Sequence, residues 1–109
     1  MKLVRCTAAP SQVDDLVAGL EHFDISQITI TCGSGCRWTQ PRRVVYRGVE
    51  YALPLTQTAV VEITACDDAV EGIIQTILDR CNPGRYDEDG RILVIPIEEW
   101  YTIRHRQIA

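Results

Sequence analysis

Twice along this chain the spacing of apolar residues changes from alternation to a helical period and back again, and few folds accommodate that order. Leu3 to Ala8 places Val4, Cys6 and Ala8 on one face and stops before Pro10, which predicts a first strand. Val13, Leu16, Val17, Leu20 and Phe23 then recur at the spacing of one helical face. Ser11 is the expected N-cap of this helix, with Asp14 three residues on, and Asp24 is its expected end. Ile25 to Cys32 alternates strictly, with Ile28, Ile30 and Cys32 against Gln27, Thr29 and Thr31, as a half-buried strand does. The second round begins with the β-branched run Ala59 to Thr64. Asp67 is then expected to cap a helix whose buried stripe is Val70, Ile73, Ile74, Ile77, Leu78 and Cys81, and Asn82-Pro83-Gly84 supplies its stop signal. Ile92 to Ile95, between Gly90 and Pro96, is a last strand, and residues 98–109 are a tail expected to begin as a helical turn.

The order strand, helix, strand, strand, helix, strand predicts an α+β class fold of the ferredoxin-like βαββαβ type, an antiparallel sheet with two helices on one face. A chain of 109 residues, 46% apolar, is one domain spanning 1–109. In three of the strands both faces carry apolar residues: Leu93 and Ile95 as well as Ile92 and Val94, Val60 as well as Val61. An antiparallel sheet with one face in water would alternate cleanly, so something covers the second face, and a homo-oligomer packed sheet to sheet is the simplest cover.

Charge and cysteine use exclude several classes. A net charge of −4 and a pI near 5.0 argue against nucleic-acid binding. No apolar run has transmembrane length and no signal peptide opens the chain, so a cytoplasmic protein without direct membrane insertion is expected. The five cysteines (Cys6, Cys32, Cys36, Cys66, Cys81) are odd in number and sit mostly in apolar patterns, which suits reduced thiols. With only His22 and His105, neither beside a cysteine pair, a closed zinc site is unsupported. No nucleophile can be matched to a base, and the chain is read as not an enzyme.

Between the two rounds lies a long stretch, Gly33 to Thr58, that holds Arg37, Arg42, Arg43 and Arg47. Connections of this length in compact domains are usually functional, and arginines gathered in an acidic chain suit a small anion or an acidic partner. Few apolar repeats and many charges predict that this stretch is ordered by a partner or effector. Trp38 serves either as an anchor for that partner or as packing at the loop base. Cys32-Gly33-Ser34-Gly35-Cys36 either closes a disulfide or shares a metal across subunits, or is a buried strand-end thiol beside an exposed loop thiol.

The middle of that stretch, Tyr46-Arg47-Gly48-Val49-Glu50-Tyr51, resembles the YRGxEY centre of the T-loop in PII signalling proteins. Further residues fall where a PII protein places similar ones: Met1-Lys2-Leu3 with Pro10, Thr29-Ile30-Thr31, Gly35, Val61-Glu62-Ile63, Gly90-Arg91-Ile92, and Ile97-Glu98-Glu99 followed by Ile103-Arg104. The resemblance implies a homotrimer with its sheets inward, adenine nucleotide (ADP, AMP or ATP, with Mg a possible companion) bound between subunits, and a protein partner, a transporter or enzyme, controlled through the T-loop of about residues 33–58. It implies a phosphate-binding B-loop at about residues 82–91, where Gly84, Arg85, Gly90 and Arg91, together with Gly35 and Arg104, would hold the nucleotide. Glycines allow close backbone approach and arginines match phosphate oxygens with paired donors; a helix C-cap followed by a tight turn would use the same glycines. Arg37, Trp38, Arg42, Arg43, Arg47 and Tyr51 are the implied effector and partner residues, Tyr51 being the modification candidate.

The departures from the family pattern carry information too. Asp87-Glu88-Asp89 puts three acids in the B-loop, which favours ADP or AMP unless magnesium offsets the repulsion. Thr102 stands where a second basic residue is usual, and Thr39-Gln40 replaces the Gln-Lys of the loop base. Thr58 replaces the lysine that pairs with 2-oxoglutarate, so a different small anion is expected, bicarbonate by analogy with the carboxysome-associated branch. The alternative reading is a trimeric metal- or redox-sensing module built on Cys32 and Cys36.

Overall fold

The computed structural model describes residues 1–35, 44–46, 49–51, 55–81 and 91–103, with 44–46 and 49–51 described by their backbone pairing. In chain order they form β1 (Lys2–Ala8), α1 (Val13–Gly19), β2 (Ile25–Gly35), β3 (Val44–Tyr46), β4 (Val49–Tyr51), β5 (Thr56–Ala65), α2 (Val70–Arg80) and β6 (Ile92–Pro96). Four of the strands make one sheet in the order β2-β5-β1-β6, every neighbour antiparallel. This is the predicted split βαβ arrangement. Each crossover helix carries the chain over a strand inserted between its two ends, α1 over β5 and α2 over β1.

Register explains which residues form the core. Val4, Cys6 and Ala8 on β1 stand opposite Ile63, Val61 and Ala59 on β5, and all six are buried under the helices. Leu16 and Leu20 from the first helical segment and Ile73 and Ile77 from α2 close over them. At roughly 1.5–3 kcal/mol for each fully buried aliphatic side chain, this layer is the main source of stability. The helices approach one another through glycines. A Cβ on Gly19 would lie 2.9 Å from Thr76 Cγ2, and one on Gly72 would run into the ring of Phe23.

Several boundaries differ from expectation, each for a physical reason. Both helices are entered through a 3-10 turn, Pro10–Gln12 and Asp67–Ala69, so neither Ser11 nor Asp67 is an N-cap; Ala9 and Cys66 hold those positions. Proline at the first position of the turn pre-sets its φ and shifts the start one turn upstream of the apolar period. Asp67 instead accepts a hydrogen bond from the Met1 amine at 2.7 Å. The first helix ends at Gly19 rather than near Asp24, with Leu20 as its C-cap and the Phe23 N–H donating to the Leu20 carbonyl in the turn that follows. Leu78, expected in the buried stripe, is 45% exposed. Ile97 to Ile103 runs without the expected helical turn.

The largest difference lies in the long central stretch. β2 and β5 continue pairing beyond the apolar alternation, through Gly33↔Thr58, Ser34↔Gln57 and Gly35↔Thr56. β3 and β4 then pair antiparallel with Val44, Val45 and Tyr46 opposite Tyr51, Glu50 and Val49. Tyr46 and Val49 to Tyr51 of the YRGVEY segment therefore lie on two strands paired antiparallel. Main-chain ladder bonds need no apolar period, which is why periodicity missed these strands.

Candidate functional site

A cavity of about 380 Å³ opens at the end of the sheet where β1 leaves it, within the roughly 300–1,000 Å³ range of small-molecule sites. Its floor is Cys6 to Ala9 of β1 and the following turn. One wall is Thr56, Gln57 and Thr58 at the start of β5, the opposite wall is Ile77, Leu78 and Cys81 at the end of α2, and Arg91 and Ile92 stand at the start of β6. Three features converge here: the base of the long central stretch, the end of a helix, and a guanidinium.

Gln12 ties these parts together. Its Oε1 accepts the Ala9 N–H at 3.2 Å and its Nε2 donates to the Cys81 carbonyl at 3.2 Å. One side chain thereby satisfies a free amide at the start of the first helical segment and a free carbonyl at the end of α2. Across the cavity, Thr58 Oγ1 donates to the Ala8 carbonyl at 3.4 Å, fixing the start of β5 against the end of β1. The apolar share of the lining comes from Ala8, Ile77, Leu78 and Ile92 and suits a flat or hydrophobic ligand part, while Arg91 offers paired donors to an anion.

Two thiols belong to this site. Burial pushes Cys6 up to about 11, with the nearby Cys81 adding to the effect, and burial followed by the charge of Asp15 raises Cys81 as well. Both are protonated near neutrality. Cys66 also lies above the ordinary thiol value, because its S–H donates to Asp24 Oδ2 at 3.6 Å and the carboxylate charge opposes ionisation.

Of the residues singled out from sequence, Arg91 lines the cavity, and Thr58 does so as well. Gly35 pairs with Thr56 at the base of the central stretch, next to the lining, and a Cβ there would meet Thr58 Cγ2 at an ordinary 3.6 Å. Gly84, Arg85, Gly90 and Arg104 lie outside the described residues, as do Arg37, Trp38, Arg42, Arg43, Arg47 and Cys36; Tyr51 is placed by its backbone in β4. Cys32 is exposed, not the buried strand-end thiol expected; it lies on β2, the edge strand of the sheet. Among the described residues no three His, Cys, Asp or Glu side chains group as metal ligands. Sequence reasoning missed Cys6, Gln12 and Leu78. A glutamine just before a helical period and a leucine on the flank of the stripe were the available signals.

The fold is ferredoxin-like, and a cavity opens at the end of its sheet. The family follows from comparison with known proteins. The family described as nitrogen regulatory protein P-II matches residues 1–107. A nitrogen regulatory protein P-II of Mesorhizobium japonicum is 33% identical over 104 residues, covering 95% of this chain and 92% of that one. Its counterpart in Azospirillum brasilense is 31% identical with the same coverage, and nitrogen regulatory protein GlnK2 of Haloferax mediterranei is 30% identical over 95% of this chain and 84% of its own length. The chain belongs to the P-II family of regulatory signalling proteins. Among the described residues no helix is long and apolar enough to cross a membrane.

Proposed function

We propose that this protein binds an adenine nucleotide (ADP or AMP, or ATP with magnesium) in the cavity at the end of β1 and passes that state to a partner protein through the stretch 33–58. The observation that carries the reading is the position of Arg91, which lines the same cavity as Thr56 to Thr58, the start of the strand that leaves the central stretch. A ligand there touches both the anion-binding side and the base of the partner loop. Gly84, Arg85, Gly90 and Arg104 complete the phosphate contacts in this reading, and the apolar wall of Ile77 and Leu78 takes the base. A homotrimer packed on the uncovered sheet face brings a neighbour to the cavity mouth. Arg37, Trp38, Arg42, Arg43, Arg47 and Tyr51 meet the partner and a small anion such as bicarbonate.

Calorimetry with ATP, ADP and AMP tests the site. The wild type takes up at least one of them, and Arg91→Ala binds it about 10- to 150-fold more weakly through loss of a charge-assisted contact worth about 1.5–3 kcal/mol. No uptake at millimolar concentration, or equal binding by Arg91→Ala, overturns the assignment.

A further inference from the structure

Resting on the nucleotide function proposed for the cavity, we propose that Gln12 is the positioning residue that lets this cavity accept an anion. Its carboxamide covers the carbonyl at the C-terminal end of α2, so that the phosphate end of the ligand meets Arg91 without also meeting an uncovered helix terminus.

The need for such a residue follows from the direction of α2. The helix runs from Val70 to Arg80, and Ile77 and Leu78 of its last turn form one wall of the cavity together with the C-cap, Cys81. A helix C-terminus carries about half a negative charge on carbonyls that have no partner within the helix, and anions are ordinarily received at the opposite end. Arg91 lines the same cavity, so an anion drawn to its guanidinium shares the space with the helix end that disfavours it.

Two observations single out Gln12 for this role. Arg80, the basic residue of the last turn, donates through Nη1 to Asp15 Oδ1 at 2.7 Å, and that carboxylate offsets its charge. Gln12 lines the cavity, and its Nε2 donates to the Cys81 carbonyl at 3.2 Å while its Oε1 accepts the Ala9 N–H at 3.2 Å. The carbonyl requires a donor and the amide an acceptor, so the two bonds fix which end of the carboxamide faces the helix. A neutral donor there lowers the partial negative charge without adding a charge of its own. It therefore changes the response of the cavity to a charged ligand and leaves the response to a neutral one.

Calorimetry of the full chain with ADP and with adenosine, the same ligand without its phosphates, separates this role from support of the fold. Gln12→Met keeps the length of the side chain and removes the donor. ADP binding is expected to weaken about 3- to 30-fold, the size of a helix-terminus effect, with adenosine binding within about twofold of wild type. Gln12→Glu keeps the acceptor for the Ala9 N–H, and it should weaken ADP more than Gln12→Met does and again spare adenosine; it decides the matter if the methionine variant fails to fold. Undiminished ADP binding in the variants, or an equal loss for adenosine and ADP, overturns the role of Gln12 and leaves the nucleotide function standing. A wild type that takes up neither ligand at millimolar concentration overturns both.

Discussion

The ring of Phe23 occupies the space in which a side chain at position 72 would begin: a Cβ on Gly72 would lie 2.9 Å from Cζ and closer still to Cε1. A glycine in the middle of a helix ordinarily costs about 1 kcal/mol relative to alanine, so Gly72→Ala in an unpacked α2 would stabilise. Here the overpacking cost of about 1–3 kcal/mol outweighs that gain, and a net loss of stability in urea unfolding is expected. In a Phe23→Ala background the sign should reverse, with Gly72→Ala raising the midpoint relative to that background. A stabilising Gly72→Ala in the otherwise wild-type chain would show that the ring yields without cost.

Gln12 makes a second relationship that mutation can separate into halves. Gln12→Ala removes both the acceptor for the Ala9 N–H and the donor to the Cys81 carbonyl, at an expected cost of about 1–3 kcal/mol. Gln12→Glu keeps the acceptor and loses the donor. Hydrogen exchange at the Ala9 amide therefore stays slow in Gln12→Glu and becomes fast in Gln12→Ala. Equal protection in both variants would mean that the Ala9 amide is held by something else.

Alkaline pH should expose the buried thiol. Cys6 ionises at about 11 in the folded chain against an ordinary value of 9.0. The unfolded state therefore loses its proton first, and the stability Cys6 contributes is complete below pH 9.0 and is lost as pH rises toward 11. The fall in unfolding free energy across that window should be shallower in Cys6→Val, whatever its stability at pH 7. An unchanged slope would place the alkaline loss on other groups.

How much of this was legible in the sequence depends on which force set each feature. Val4, Cys6, Leu16, Ile63, Ile73 and Ile77 were readable because burial imposes periodicity, and with the alternation from Ile25 to Cys32 and the run Ile92 to Ile95 they give the βαββαβ order. The continuation of β2 to Gly35 and the pairing of β3 with β4 rest on main-chain bonds that leave no apolar period. Arg91 was found through its motif, Gly90-Arg91-Ile92. Gln12 escaped because it acts through a contact 69 residues away along the chain, which no local pattern records.

The uncovered sheet face yields the last prediction. Arg5 on β1 donates through Nη2 to Glu62 Oε2 on β5 at 3.0 Å, so the charges on that face are matched within the chain and do not by themselves repel a second copy. Beside them Leu93 and Ile95 of β6 remain 46% and 36% exposed, opposite Arg5 and Leu3. Apolar residues flanking a neutralised ion pair suit an interface with other copies of the same face, the trimer of the proposed function. Leu93→Lys sets a second cation beside Arg5 and removes apolar area at the same point. If the face is buried between subunits, the variant should sediment as a monomer or smaller assembly at concentrations where the wild type is trimeric, and its fold should persist by circular dichroism because Leu93 lies outside the buried core. A wild type that sediments as a monomer at micromolar concentration, or a Leu93→Lys trimer of unchanged stability, would leave this face without the role assigned to it.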